Sequence, residues 1–182
     1  MSSSVEHAGR RLFLVLPGQC FPIQFVKPWL DCEFLLSEWG PNLLGDQHHQ
    51  LKLVMLIRSL RVYADELRNA GANVTYHSLE DERCGTFSDQ VSRAAETASC
   101  SELVYFEIED RSCATVVSDL ATSLSLRQKA LSSPMFLCSR ESFADYLKQE
   151  PRPRMASFCR QQRRELGLLL NPDGKPLGGK RS

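Results

Sequence analysis

The sequence lacks any hydrophobic run long enough to cross a membrane. Its longest uninterrupted apolar stretches, residues 12–16 and 53–57, are five residues long, whereas a transmembrane helix needs about 20. The start of the chain, residues 1–9, is polar and rich in serine, and it lacks the basic and apolar regions of a signal peptide. We therefore expect a cytoplasmic protein with no membrane partner.

The sequence also lacks the spacing of a metal site or of a disulfide framework. Its seven cysteines are odd in number and scattered, and no two are spaced as Cys-x-x-Cys. The neighbouring His48 and His49 would point about 100° apart on a helix. Neither has a carboxylate or a histidine three or four residues further on to complete a ligand pair. We predict reduced thiols and no metal-binding residues.

Motifs for phosphate binding and for acyl transfer are missing as well. The loop Pro17-Gly18-Gln19 has a single glycine, without the Gly-x-Gly-x-x-Gly pattern or a Walker lysine, so it favours a plain turn. The pairs Ser139 with Glu141 and Cys84 with His77 come nearest to a catalytic nucleophile. Neither has a nucleophile elbow, and neither has a general base together with a third residue that orients the base. We predict no catalytic residue in this chain.

The chain carries no net charge, with 22 basic and 22 acidic residues, but the charge is unevenly distributed. Residues 1–150 hold 14 basic and 20 acidic side chains, and residues 151–182 hold eight and two, so zero is the sum of −6 and +6. The basic cluster consists of Arg152, Arg154, Arg160, Arg163 and Arg164. It is predicted either to contact DNA phosphate, or to form a solvated helix face or a contact to a neighbouring domain.

What the sequence does contain is a regular alternation of strands and helices. Five short runs rich in apolar or β-forming residues predict strands at 11–16, 32–36, 73–79, 102–108 and 128–131. Apolar residues at helical spacing predict helices at 48–69, 86–98 and 113–124, with Thr86 and Asp89 as a capping box. Strands that alternate with long helices pair in parallel. The predicted fold class is α/β, a Rossmann-like or flavodoxin-like open parallel sheet of about five strands with helices on both faces.

Past the sheet, residues 139–148 and 155–166 are predicted to form short C-terminal helices. In open α/β sheets, ligands bind beyond the carboxyl ends of the strands, at the point where the strand order reverses. This rule directs attention to the loops after the first, second and fourth strands, at residues 17–20, 37–40 and 107–111.

Longer stretches of the sequence resemble a known family. In chain order they are LVLPGQ at 14–19, SE at 37–38, HHQLKLVMLIRSLRVYADEL at 48–67, FEIED at 106–110, FLCSRESFADYL at 136–147 and MASFCRQQRRELGLLLNPDGKPLGGK at 155–180. Together they resemble the N-terminal part of the deoxyribodipyrimidine photolyase-related proteins, the iron–sulfur bacterial branch of the photolyase and cryptochrome superfamily. The resemblance covers nearly all of residues 11–180.

The resemblance implies an α/β antenna-binding domain at residues 11–138, after a disordered N-terminus at 1–10. Residues 139–182 would be a helical linker and truncated tail leading toward an FAD-binding domain. Some family members hold a lumazine-type antenna chromophore near the first loop and the start of the long helix. Gly18, Gln19, Glu38 and Lys52 are the candidate contacts at the matching positions. FAD and the iron–sulfur cluster are expected only in the C-terminal helical domain of full-length members.

Three functions follow as expectations. The first is the N-terminal domain of a photolyase-related DNA-repair flavoprotein, able to hold an antenna chromophore but without repair activity of its own. The second is part of an intact light-dependent DNA photolyase, a lyase, whose catalytic domain lies outside this chain. The third is an independent small nucleotide- or flavin-binding α/β protein. An exposed apolar domain interface would also promote self-association.

Overall fold

The computed structural model describes residues 10–44, 48–175 and 177. Its described part forms two compact units, one within residues 1–134 and one within residues 135–182. The predicted disorder of residues 1–10 falls almost wholly outside the described residues. None of the helices in the described ranges is both long and apolar enough to span a membrane.

The first unit is a five-stranded parallel sheet, as the sequence predicts. Its strands are β1 (Arg10–Val15), β2 (Glu33–Ser37), β3 (Asn73–His77), β4 (Cys100–Phe106) and β5 (Arg127–Leu131). Its helices are α1 (Pro41–Leu44), α2 (Gln50–Asn69), α3 (Phe87–Thr97) and α4 (Arg111–Ser123). The strand order is β3-β2-β1-β4-β5, which is the Rossmann order, and every pair is parallel.

Successive residues of a strand point to opposite sides of a sheet, so the apolar strands of this sheet have two apolar faces. Helices cover both of these faces. On one face, Leu12 and Leu14 of β1 pack in a buried cluster with residues of α3 and α4. On the other face, Phe13 and Val15 pack in a second cluster with residues of α2. The phenyl rings of Phe13 and Phe34 stack there at 4.8 Å between centroids. The near-continuous apolar run of β1 therefore reflects burial on both faces.

The second unit contains α5 (Arg140–Gln149) and α6 (Met155–Leu166), close to the helices predicted from the sequence. Tyr146 joins them: its hydroxyl accepts from the Arg154 amide at 3.1 Å and lies 2.7 Å from Ser157 Oγ. Its ring packs with those of Phe143 and Phe158, which also contact each other at 5.2 Å between centroids. Helix α6 ends at Gly167, whose φ of +63° is the left-handed C-cap conformation that glycine favours.

The predicted capping box at the start of α3 is present. Asp89 N donates to Thr86 Oγ1 at 3.2 Å, and Thr86 N donates to Asp89 Oδ2 at 2.8 Å. We expect Thr86→Ala to lower the free energy of unfolding by about 1 kcal/mol, because an exposed helix start loses its reciprocal bonds. Urea denaturation measures the change. The matched control Ser88→Ala, at an exposed position in the same turn, should stay within about 0.5 kcal/mol of wild type.

Candidate functional site

The strand order reverses between β1 and β4, and the loops that follow these strands meet there. After β1 the chain turns sharply: Gln19 N donates to Leu16 O at 2.9 Å, with Pro17 and Gly18 between them. Gly18 has a φ of +90°, which the third position of a type II turn requires. The sequence expectation of a plain turn at this loop is therefore met, and glycine is needed for the backbone geometry.

Gln19 connects the two loops at this point. Its side chain is only 4% exposed, and its Nε2 donates to Glu107 O at 2.9 Å and contacts Glu109 Oε2 at 3.4 Å. Because both partners accept hydrogen bonds, the amide orientation is fixed, and the carbonyl oxygen Oε1 points away from both partners. Within the described part of the chain, Oε1 has no hydrogen-bond partner. A buried, unsatisfied acceptor is rare in proteins, which makes Gln19 the unusual residue of this loop.

The start of α2 lies next to this turn. The helix has 20 residues and is about 30 Å long, whereas the five-residue β2 that precedes it spans about 17 Å. Full burial begins only at Leu60, and the exposed Leu51, Val54 and Met55 lie on the first two turns. The first two turns of α2 therefore extend beyond the carboxyl edge of the sheet, and we call this segment the overhang (residues 50–57).

The overhang lies beside the first loop. A Cβ atom built on Gly18 would lie 4.0 Å from Leu56 Cδ2. Lys52 is one helical turn before Leu56 on the same face, and its exposed Nζ lies 3.3 Å from His48 Nδ1. Gly18 and Gln19 thus lie in the first loop and Lys52 on the helix beside it, and the predicted contact of these residues with a chromophore stays a prediction. The predicted self-association through an exposed apolar surface stays a prediction.

Glu38 is placed differently from the other three. Its side chain is fully buried, and Oε1 accepts from Arg61 Nε at 2.6 Å and from the Tyr76 hydroxyl at 2.5 Å. Its Oε2 accepts from Leu79 N at 2.9 Å and from Arg61 Nη2 at 3.2 Å. Arg61 follows Lys52 by nine residues, which on a helix means opposite flanks. The geometry makes Glu38 a connector of β2, α2 and β3, and its predicted chromophore contact stays a prediction.

Hydrogen bonding decides the protonation of this carboxylate. Burial by itself raises the pKa of Glu38, but hydrogen bonds from Arg61, the Leu79 amide and Tyr76, with the charge of Arg61, outweigh it. The net result is a pKa below the ordinary 4.5. Burial and the bond to Glu38 raise the pKa of Tyr76, so the phenol stays protonated and keeps donating. The network is therefore ionised and stable at neutral pH.

A second buried polar network, missed by the sequence analysis, lies at the same edge of the sheet. Ser37 Oγ accepts from Trp39 N at 2.9 Å and donates to Gln90 Oε1 at 2.6 Å. Gln90 is fully buried, and its Nε2 donates to Gly85 O and contacts Cys84 Sγ, both at 3.1 Å. These bonds satisfy the buried polar groups at the contact between β2 and α3. We therefore interpret this network as structural support.

Other polar residues considered from the sequence are helix caps. His49 Nδ1 accepts from Leu51 N at the start of α2, and Asp110 Oδ1 accepts from Cys113 N at the start of α4. Ser139 Oγ accepts from Ser142 N at the start of α5. In the ranges that the structure describes, no three His, Cys, Asp or Glu residues are grouped so that they could hold a metal ion.

We predict that Glu38→Gln lowers the free energy of unfolding by about 2–3 kcal/mol, because an amide cannot accept all four bonds and carries no charge for Arg61. Chemical denaturation at neutral pH measures the loss. Glu80 provides the matched control, since it is exposed and contacts Arg61 only at 3.6 Å. Glu80→Gln should change stability by less than about 0.5 kcal/mol. An equal effect of both variants would contradict the connector role.

The same network predicts a pH dependence. The pKa of Glu38 is lower in the folded than in the unfolded protein, so its contribution is fully present above about pH 4.5. It is lost as pH falls toward the folded pKa. Denaturation curves of wild type and Glu38→Gln should therefore converge below pH 4.5. A stability difference that stays constant down to the acid limit would count against this assignment.

Comparisons with known proteins agree with the family resemblance described above. The chain is similar to a (6-4) photolyase from Agrobacterium fabrum, with 28% identity over 134 residues. These residues are 73% of this chain but 26% of the relative, so the chain spans about a quarter of the relative's length. A family model described as deoxyribodipyrimidine photo-lyase-related protein matches residues 31–182. Since the model matches most of the chain, the chain belongs to the family of deoxyribodipyrimidine photolyase-related proteins.

Proposed function

We propose that this chain forms the antenna-binding portion of a photolyase-related protein and holds a lumazine-type chromophore in the crevice between the first loop and the overhang. The observation that carries the proposal is the buried Gln19 Oε1, which has no partner among the described residues and lies at the switch point of the sheet. Ligands of open α/β sheets bind at this position. A heteroaromatic ring with an N–H group supplies the hydrogen bond that Oε1 lacks.

The surroundings suit such a ring. Leu56 and the backbone at Gly18 offer an apolar wall and a close approach, since no side chain projects from the glycine. Lys52 provides a cationic donor for a ring carbonyl at the open side of the crevice. A few polar groups around an apolar slot fix the orientation of a planar ligand. Gly18, Leu56 and Lys52 provide this arrangement.

Light-driven repair needs electron transfer from a reduced flavin. We assign that step to the flavin-binding helical domain of full-length family members, and to this chain only the capture of light. Under this assignment the chain has no lyase activity on its own. An independent flavin-binding function of this α/β unit is the alternative that the same experiment addresses.

The test is a titration of the 182-residue chain with ribityl-lumazine, followed by absorbance and fluorescence, with FAD titrated in parallel. We expect saturable binding of the lumazine. Lys52→Met should weaken it about tenfold, because one charge-assisted hydrogen bond is lost. Lys148→Met is the matched control, since Lys148 is an exposed lysine of the second unit, and it should bind like wild type.

Two results would contradict the proposal. If ribityl-lumazine does not bind to the folded wild-type chain, the antenna function is wrong. If FAD binds and the lumazine does not, the independent flavin-binding alternative is favoured instead.

We also propose a weak DNA contact through the basic segment, residues 152–164. Arg152, Arg154, Arg160 and Arg164 are exposed, and Arg160 and Arg164 lie one turn apart on α6. Phosphate neutralisation by these side chains makes binding steeply salt-dependent.

For the DNA contact, Arg160→Ala combined with Arg164→Ala should weaken duplex binding and reduce the slope of log affinity against log salt by about two. Fluorescence anisotropy at several salt concentrations measures both quantities. Arg127→Ala removes an exposed arginine of β5 and should leave the slope unchanged. Absence of DNA binding by wild type at low salt would refute the contact.

A further inference from the structure

The sheet of the first unit has two edges, β3 and β5. Within the described residues, each of these strands is paired with a neighbour on one side only. An edge strand presents unpaired backbone N–H and C=O groups, which can pair with a strand of another chain. Proteins prevent such pairing with lysines and other charges, with proline, or by covering the edge. The charges on the two edges therefore indicate which of them is open to a partner.

Strand β5 carries this protection. Two of its five residues, Arg127 and Lys129, are basic and exposed. If β5 paired antiparallel with the β5 of a second copy about Lys129, the two Lys129 ammonium groups would lie directly opposite each other. Like charges in this position destabilise a strand pair. The charges of β5 thus act against its pairing with itself.

Strand β3 carries no such protection. Its sequence, NVTYH at Asn73–His77, contains no acidic residue, no lysine, no arginine and no proline, and Val, Thr and Tyr favour strands. Burial and the charge of Arg93 outweigh the charge of Asp81 and lower the pKa of His77, so the imidazole is neutral at neutral pH. All five residues are exposed or half-buried. We therefore identify β3 as the unprotected edge.

One face of β3 is separated from the nearest helix by a groove. Thr75 is the register partner of Leu35, which packs in the cluster with α3, so Thr75 points to the α3 side of the sheet. A groove of about 420 Å³ lies between β3 and α3 there, and the small side chains of Ala94, Thr97 and Ala98 border it on the helix side. The groove leaves room on this face for the side chains of an added strand.

We propose that β3 pairs antiparallel with the β3 of a second copy of this chain, about a two-fold axis at Thr75. In this register Thr75 faces Thr75 of the second copy, Val74 faces Tyr76, and Asn73 faces His77. Val with Tyr is an aromatic–β-branched pair of the kind that stabilises antiparallel strands. Asn73 and neutral His77 form a polar pair, and no like charges of the two strands lie directly opposite each other.

The contact at the axis is apolar. Thr75 Oγ1 donates to Glu33 Oε1 at 2.9 Å in its own chain, so the hydroxyl already has a partner. The Thr75 methyl groups of the two copies are then left to meet across the axis. Both copies use the same surface, as a two-fold interface requires.

The pairing also limits its own growth. It joins two five-stranded sheets into one continuous sheet, whose remaining edges are the two β5 strands. Because Arg127 and Lys129 protect these edges, assembly stops at the dimer. The interface goes beyond the proposed chromophore site, since no residue of β3 belongs to the first loop or to the overhang.

The test is sedimentation velocity of the 182-residue chain over about three decades of protein concentration. We expect wild type to pass from monomer to dimer. Asn73→Lys combined with His77→Lys should weaken dimerisation at least tenfold, because it places lysines opposite each other at both ends of the pairing. The matched control is Thr115→Lys with Thr122→Lys, which adds the same charge at exposed positions of α4 and should dimerise like wild type.

A cross-linking experiment tests the register. Thr75→Cys places a thiol next to its own copy across the axis, so mild oxidation with diamide should give a covalent dimer linked at position 75. Asn73→Cys is the control, because position 73 faces His77 rather than itself, and it should cross-link much less. Mass spectrometry of the peptides separates this link from disulfides of the native cysteines, and melting temperatures show whether each variant is folded.

Three results would overturn the β3 interface. The first is a wild-type chain that stays monomeric at every concentration. The second is a dimer that the lysine substitutions on β3 do not weaken, which would mean that the copies associate through another surface. The third is a folded Thr75→Cys variant that dimerises without forming the link at position 75. None of these results depends on chromophore binding, so the proposed antenna function is tested separately.

Discussion

The buried carboxylate of Glu38 is the interaction on which the rest of the first unit depends. It accepts hydrogen bonds from α2 through Arg61, from β3 through Tyr76 and from the following loop through Leu79. A charge taken out of water is tolerated only when all its bonds are made, so these elements have one mutual arrangement that satisfies it. The position of the long helix against the sheet follows from this requirement.

The arrangement of loops and helix at the sheet edge is a result of that positioning. Because α2 is held through its second half, its first two turns stand beyond the carboxyl edge and lie beside the turn at Gly18. Gln19 joins the loop after β1 to the loop after β4 by a hydrogen bond from its side chain to Glu107 O.

Much of the fold could be predicted because its signals are local. The apolar run at residues 12–16 predicts a strand buried on both faces, and Thr86 with Asp89 predicts a helix start from only four residues. The site depends on contacts between distant residues: Glu38 meets Arg61 across 23 positions, and Gln19 meets Glu107 across 88. The unpaired Tyr63 hydroxyl is visible only once side chains are packed. No spacing rule in one sequence reports such pairings.

The two flanks of α2 have separate tasks. Arg61 on one flank anchors the helix to Glu38, while Ser59 and Tyr63 on the other line a depression together with Cys20 of the first loop. Since residues without shared partners contribute nearly additively to stability, substitutions on the loop-facing flank leave the anchor intact. In evolutionary terms the exposed residues of the loop-facing flank, such as Lys52 and Ser59, are free to vary, whereas Arg61 and the buried residues of the helix are held constant by selection on folding.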